Sequence, residues 1–197
     1  MQRTAKQIHH HLKNATKLAL VSHPNPDGDT LGSAVAFAEY LQTLGKEVKI
    51  FCLTPVPDKF NFLKNIHLVN QDPATFLDMD TITVVDCGDL RYAGVVDMLK
   101  DHPATIINID HHATNEKYGH MNMVAVGAAS TTEVVYDFFK MNSVRISPSM
   151  ATALLTGLIT DTDNFSNSAT SYTSLTAASE LLRLGANWTI IHHSLVQ

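Results

Sequence analysis

Four short stretches set histidine and aspartate where they could share one ion or one phosphate. "SHPNPDGD" puts His23, Asp27 and Asp29 within seven residues. "VVDCGD" puts Asp86 directly after an apolar run, and "NIDHHATN" sets Asp110, His111 and His112 side by side. "LITDTDN" ends a further apolar run on Asp161. Imidazole nitrogen combined with carboxylate oxygen is a donor set that suits Mn²⁺ and other octahedral first-row ions. A carboxylate that follows a buried run, as Asp86 does, needs a partner or a metal.

The first stretch is built to be stiff. Pro24 and Pro26 fix their own φ angles and push the preceding residues out of the helical region. Gly28 permits a turn that other residues resist. Stiffness favours a metal site, whose ligands must be aimed beforehand. Each stretch also has a plainer reading. Asp27 or Asp29 suits the N-cap of a helix starting near Thr30, and Asp89 suits one starting at Leu90 or Arg91. Asp86 fits a strand-end turn, and Asp163 a loop turn. A His-His pair can lie on a surface loop, and this chain has other histidine runs at 9–11 and 192–193, on predicted helices without nearby acids. Used together, adjacent histidines can point apart, one to a metal and one to substrate, with Asp110 holding a ring nitrogen. Asp161 closes a helix, where an exposed carboxylate is unfavourable by about 0.3–1 kcal/mol unless a cation sits beside it.

These stretches must be positioned by the elements around them. Apolar spacing predicts helices over 2–14, 31–45 and 91–100, and strands over 17–22, 47–52, 81–86 and 104–110. "IHLV" and "MNMVAV" read as short strands. Beyond about residue 127 the runs "STTEVVYDFFKM", "SPSMATALLTGLIT", "TSLTAASELLRLG" and "WTIIHHSLV" all read as helices. Alternation with near-continuous apolar strands predicts an α/β fold, a parallel sheet with helices on both faces and a helical C-terminal part. No Pro- or Gly-rich linker divides the chain, so one domain over 1–197 is expected. In such sheets ligands bind beyond the carboxyl ends of the strands, and that is where three of the four stretches fall.

Together, "HPNPDGDTLGS", "VVDCGD", "DHHATN" and "GLITDTDNF" run in order across residues 21–165. They resemble the motifs of the DHH phosphoesterases, most closely the short-oligonucleotide and nucleotide branch (nanoRNase and phosphoadenosine-phosphate phosphatase enzymes). The resemblance implies a DHH domain holding two metal ions, Mn²⁺ typically, with Mg²⁺ or Co²⁺ as substitutes. It implies that His23 and Asp27 bind one ion, that Asp29, His111 and Asp161 bind the other, and that Asp86 bridges both. It further implies that His112 faces the substrate phosphate or the attacking water and that Asp110 supports the histidines. Arg91 and Asn115 would contact phosphate or order the loop. The reaction so implied is hydrolysis of phosphoester bonds in short oligonucleotides or in nucleotides such as 3′-phosphoadenosine 5′-phosphate. In a two-metal mechanism, ions about 3.5–4 Å apart clamp the attacking and leaving oxygens. The same donors would also serve an inorganic pyrophosphate or polyphosphate hydrolase, or a metal- and nucleotide-binding module with little turnover. Family members usually carry a C-terminal substrate-binding domain with a glycine-rich, His-containing motif. No "GGGH"-like segment occurs here, so a single DHH domain without that clamp is expected.

Composition narrows the partners. The net charge of −5 argues against a long nucleic-acid groove, and no duplex DNA partner is expected. A short phosphorylated ligand is compatible, because bound metal changes the local charge. The chain carries 14 Asp and 11 His but only 5 Glu, so the placement of the Asp and His residues decides its chemistry. No apolar run approaches a membrane span, and "MQRTAKQIHHHLKNATK" lacks the apolar core of a secretory signal. Cys52 and Cys87 imply no disulfide framework. A cytoplasmic protein without a membrane partner is expected, and a homodimer is compatible with this composition.

Overall fold

Six apolar runs pair into one parallel sheet in the computed structural model, which describes residues 1–195. The strands are β1 (Lys17–Ser22), β2 (Glu47–Cys52), β3 (Val69–Asn70), β4 (Thr81–Val85), β5 (Thr105–Asp110) and β6 (Met121–Val124). Their order is β3-β2-β1-β4-β5-β6, and every neighbouring pair is parallel. The central strands β1, β4 and β5 are buried almost throughout, as continuous β-branched and aliphatic runs require when both sheet faces are covered. From β1 the chain moves outward to β2, then returns to β4 on the other side of β1. That reversal opens a crevice at the carboxyl ends of β1 and β4.

The two faces are covered unequally. One carries α1 (Gln2–Asn14), α2 (Gly28–Thr43), α5 (Thr131–Met141) and α6 (Pro148–Asp161), with α7 (Tyr172–Arg183) and α8 (Trp188–Leu195) packed outside. Phe37, Tyr40, Phe138 and Phe139 interlock there with ring centroids 5.3–6.1 Å apart. α2 is buried on every side from Gly28 to Leu41, which explains its lack of a polar face. Over Ala19, Val21, Phe51, Ile82 and Val84 the other sheet face carries a 3₁₀ turn (Pro73–Phe76), two single-turn helices, α3 (Leu90–Ala93) and α4 (Val96–Leu99), and the side chains of Met79 and Tyr118.

Three elements depart most from the periodicity. α2 begins at Gly28 rather than Leu31, because Asp27 caps it, and ends at Thr43 ahead of Gly45. The helix expected over 91–100 breaks in two at Gly94, whose φ of +70° is left-handed and whose Cα packs on Leu53: a Cβ there would lie 2.7 Å from Leu53 Cδ2. "IHLV" is mostly a 3₁₀ turn, and only Val69 and Asn70 pair with β2. Among the described residues no helix is long and apolar enough to cross a membrane.

Candidate metal site

The carboxyl ends of β1, β4 and β5 and the last turn of α6 converge. At the end of β1, His23 Nδ1 donates to the Pro24 carbonyl at 2.9 Å, which leaves Nε2 facing Asp86 Oδ2 at 3.4 Å and Asp27 Oδ1 at 3.9 Å. Asp27 is the α2 N-cap, accepting from the Asp29 and Thr30 amides at 2.9 and 3.1 Å. The capping reading and the ligand reading of this residue therefore coexist. Asp29, fully buried in the first turn of α2, accepts from the Thr131 and Thr132 amides at 2.7 and 2.8 Å. Those amides open α5, where orphan N–H groups and the helix dipole favour an anion. Gly157 of α6 makes room for this joint, since a Cβ there would lie 2.7 Å from Asp29 Oδ1.

Asp86 leaves β4 with a left-handed φ of +57°, a conformation that aspartate tolerates better than most residues. The turn splays its two oxygens. Oδ2 faces His23, while Oδ1 accepts from Thr131 Oγ1 at 2.8 Å and lies 3.8 Å from both His111 Nε2 and His112 Nδ1. His111 Nδ1 donates to the Ala128 carbonyl at 3.3 Å, and its Nε2 lies 3.2 Å from Asp161 Oδ2 and 4.0 Å from Asp29 Oδ2.

Among the described residues, three groups of side chains can thus each offer three ligand atoms within 4.8 Å of one another: His23, Asp27 and Asp86; Asp29, His111 and Asp161; and Asp86, His111 and His112. Asp86 belongs to two of them. The donors fit a divalent cation on two counts. Both His23 and His111 tie Nδ1 to a backbone carbonyl, the arrangement that orients a metal-ligating imidazole. In addition, His111 Nε2 is buried without a hydrogen-bond partner, its approach to Asp161 lacking hydrogen-bond geometry. A buried polar atom left so calls for a partner, and a cation supplies one.

Electrostatics agree with a site suited to positive charge. Burial pushes the Asp29 carboxyl well up, and neighbouring Asp86 and Asp161 push it further against the Thr132 and Thr131 amides. Burial, aided by Asp86, also raises Asp27. Burial alone would lower the two imidazoles. The close contact and charge of Asp86 outweigh it at His23, and those of Asp161 and Asp86 at His111, so both rise to about 9. For Asp86, burial acts upward but the His23 contact and Thr131 hydrogen bond hold it below its usual value. The raised carboxyls and the raised imidazoles share one cause, the crowding of negative charge at this point.

Asp110 is fully buried. Its Oδ1 accepts from His112 Nδ1 at 2.7 Å and from the His111 amide at 2.8 Å, and Oδ2 accepts from Asn115 Nδ2 at 2.6 Å. Its side chain therefore braces the ring of His112, whereas the ring of His111 is braced by a main-chain carbonyl. Asn115 also accepts from Asn108 Nδ2 and the Lys117 amide at 2.8 and 2.7 Å, so it orders the loop from within. Arg91 stands exposed at the rim, bonded to Asp89 at 2.7 Å and Glu116 at 2.9 Å. A cavity of about 490 Å³ opens over His23, Asp27, Asp86 and Asp161, with His112, Asp89, Tyr92, Thr114 and Glu116 in its walls.

Thr131 and Thr132 are brought into the site without having been expected there. A sequence signal exists in "STTE", the pattern of a helix N-terminus. Ser130 Oγ accepts from the Glu133 amide at 3.1 Å, and Glu133 Oε2 accepts from the Ala129 amide at 2.7 Å. Tyr92 likewise carried no signal beyond its proximity to Asp89.

Comparison with known proteins bears on this geometry. The model of the DHH family, N-terminal domain, matches residues 17–158. A Thermus thermophilus protein named bifunctional oligoribonuclease and PAP phosphatase NrnA is 32% identical over 167 residues, 84% of this chain and 49% of that protein. A probable manganese-dependent inorganic pyrophosphatase of Streptococcus thermophilus is 27% identical over 175 residues, 86% of this chain and 56% of the relative. An exopolyphosphatase-related protein from Bacteroides fragilis has the same fold, with a TM-score of 0.93 at 23% identity, over 99% of this chain and 60% of the other. The chain spans about half the length of the curated relatives it matches.

Proposed function

The chain belongs to the DHH family, and from that premise we propose that it is a Mn²⁺-dependent phosphoesterase that hydrolyses short oligonucleotides or nucleotides such as 3′-phosphoadenosine 5′-phosphate. The observation that carries this reading is the splayed carboxylate of Asp86, one oxygen toward His23 and the other toward His111. In this reading two ions are held, one by His23 and Asp27, the other by Asp29, His111 and Asp161, with Asp86 shared. Bound metal supplies a water acidic enough to ionise near neutral pH and neutralises phosphoryl charge. The protein does the rest. Asp27, Asp29 and Asp86 are fixed before substrate arrives by α-helical amides and Thr131. His112, its Nδ1 bound by Asp110 and its pKa raised chiefly by that bond, presents Nε2–H to a phosphoryl oxygen or the leaving group. Asn115 orders the loop carrying both histidines, and Arg91 meets outlying phosphate from the rim.

The name of the Thermus thermophilus relative supports oligonucleotide and nucleotide substrates, and that of the Streptococcus thermophilus relative supports manganese. Residues 1–197 are read as one DHH domain. A cytoplasmic setting is supported by two buried, unpaired cysteines, Cys52 and Cys87. The net charge supports short substrates over duplex DNA, and a homodimer is compatible with this reading.

The test is Mn²⁺-dependent release of mononucleotide from a dinucleotide, and of phosphate from 3′-phosphoadenosine 5′-phosphate. Asp86→Ala and His111→Ala are expected to lower either activity more than about a hundredfold, since even residues behind metal ligands contribute 10–100-fold. Activity surviving both substitutions would refute the reading. Turnover of pyrophosphate with none of a dinucleotide would instead support a pyrophosphatase on the same ligands.

A further inference from the structure

The large rings of this chain are mostly hidden. Phe37, Tyr40, Phe51, Phe60, Phe138 and Phe139 are at most 1% exposed, whereas Tyr92 is 61% exposed and forms part of the cavity wall. Exposure alone would mean little: Tyr172 is more exposed still, but lines a separate depression beside Glu133 and Asp137. Tyr92 differs in where it stands. Its ring centroid is 5.5 Å from that of His23, tilted by 41°, and it shares the cavity with Asp86 and Asp161.

The ring is also displayed rather than loose. α3 is fixed at its start by Asp89, which accepts from the Arg91 amide at 2.8 Å, and at its end by the left-handed Gly94 on Leu53. Arg91, the preceding residue, is anchored to Asp89 and Glu116. Among the described residues the Tyr92 hydroxyl has no hydrogen-bond partner, so the face of the ring is the feature presented. The rest of the wall is polar: Asp27, Asp86 and Asp161 are the metal ligands of the phosphoesterase reading, and Asp89 and Glu116 are paired with Arg91. The two imidazoles of the cavity, His23 and His112, are engaged with Asp86 and Asp110, so Tyr92 is the ring with a face left for an uncharged, flat group.

We propose that Tyr92 is a stacking platform for a nucleobase of the substrate, and that it gives the site its preference for nucleotides over bare phosphate compounds. This rests on the phosphoesterase reading and adds the residue that reads the substrate's base. Stacking is tolerant of base identity, because every base has a π-face. The preference is therefore for the presence of a base, not for one sequence.

The test is calorimetric binding of adenosine 5′-monophosphate and of ribose 5-phosphate to the Mn²⁺-loaded full chain, with dinucleotide turnover measured in parallel. The wild type is expected to bind the nucleotide about tenfold more tightly than the sugar phosphate, the scale of one base–aromatic stack. Tyr92→Ala should erase that preference while leaving ribose 5-phosphate affinity and Mn²⁺ binding unchanged, and Tyr92→Phe should keep it. A preference that survives Tyr92→Ala, or a wild type with none, overturns the stacking role. If dinucleotide is still hydrolysed, the phosphoesterase reading stands without it. If pyrophosphate is hydrolysed but no dinucleotide, both fall together.

Discussion

The inner and outer walls of the site are held by different means. On the inner wall Asp29 is fully buried, with both oxygens bonded to amides that begin α5, and His111 is braced by a main-chain carbonyl. On the outer wall the side chains of Asp27 and His112 are about half exposed, at 49% and 47%, and Arg91 and Tyr92 stand in solvent. The inner ligand is also a joint between two helices, so its chemistry and its packing cannot be altered separately. The outer residues hang from turns, where a side chain can change with little consequence for the core.

The contrast is sharpest at Asp29. Replacing it by Ala leaves two buried amides without acceptors, with a loss of about 2 kcal/mol expected in urea unfolding after partial relief of repulsion with Asp86 and Asp161. Mn²⁺-dependent activity should vanish with it. An Asp29→Ala protein as stable as wild type would erase the distinction between the walls.

Proton–metal competition runs through His23 and His111, both largely buried behind the outer wall. The carboxylates around them raise both to about 9, so metal binding is expected to displace protons below that pH. Apparent Mn²⁺ affinity is expected to tighten about tenfold per pH unit for each proton displaced, from pH 6.5 toward 9. Calorimetry across that range in two buffers of different ionisation heat would show it, and a flat profile would contradict it. Stability of the metal-free protein should move oppositely. Imidazoles raised above their unfolded value contribute fully below about pH 6.5, and lose that contribution as pH rises through about 9.

Asp27 separates capping from ligation. Asp27→Ala removes an N-cap and is expected to lower stability by about 1 kcal/mol. Asp27→Asn keeps the cap, and so should unfold like wild type while binding Mn²⁺ more weakly. Loss of equal stability in both variants would mean that charge, not capping, fixes the start of α2. The smallest effect belongs to Arg91. Its exposed pairs with Asp89 and Glu116 are screened by solvent and add little to global stability, so Arg91→Ala should leave melting unchanged and alter kcat/KM by about fivefold or less.

The sheet was legible because β1, β4 and β5 are apolar runs with no competing periodicity, each ending abruptly in polar residues. The same abruptness exposed the ligand candidates: a carboxylate at the end of a buried run has few roles open to it. Other features were illegible for equally physical reasons. The break at Gly94 depends on Leu53, which is remote in sequence. The grip on Asp29 comes from amides of Thr131 and Thr132, and an amide is common to nearly every residue type. Arg91 could be foreseen near the site, but not its engagement by Glu116 across the rim.

The joint at Asp29 has a consequence for how the molecule opens. Separating the amides of Thr131 and Thr132 from their carboxylate means pulling α5 away from α2 within the thick layer of the core. Those two protons should therefore exchange with solvent deuterium only at the rate of global unfolding. The Arg91 amide, on a single exposed turn over the thin layer, should exchange through local fraying. One wall of the site would then keep time with the whole fold, and the other with its own loop.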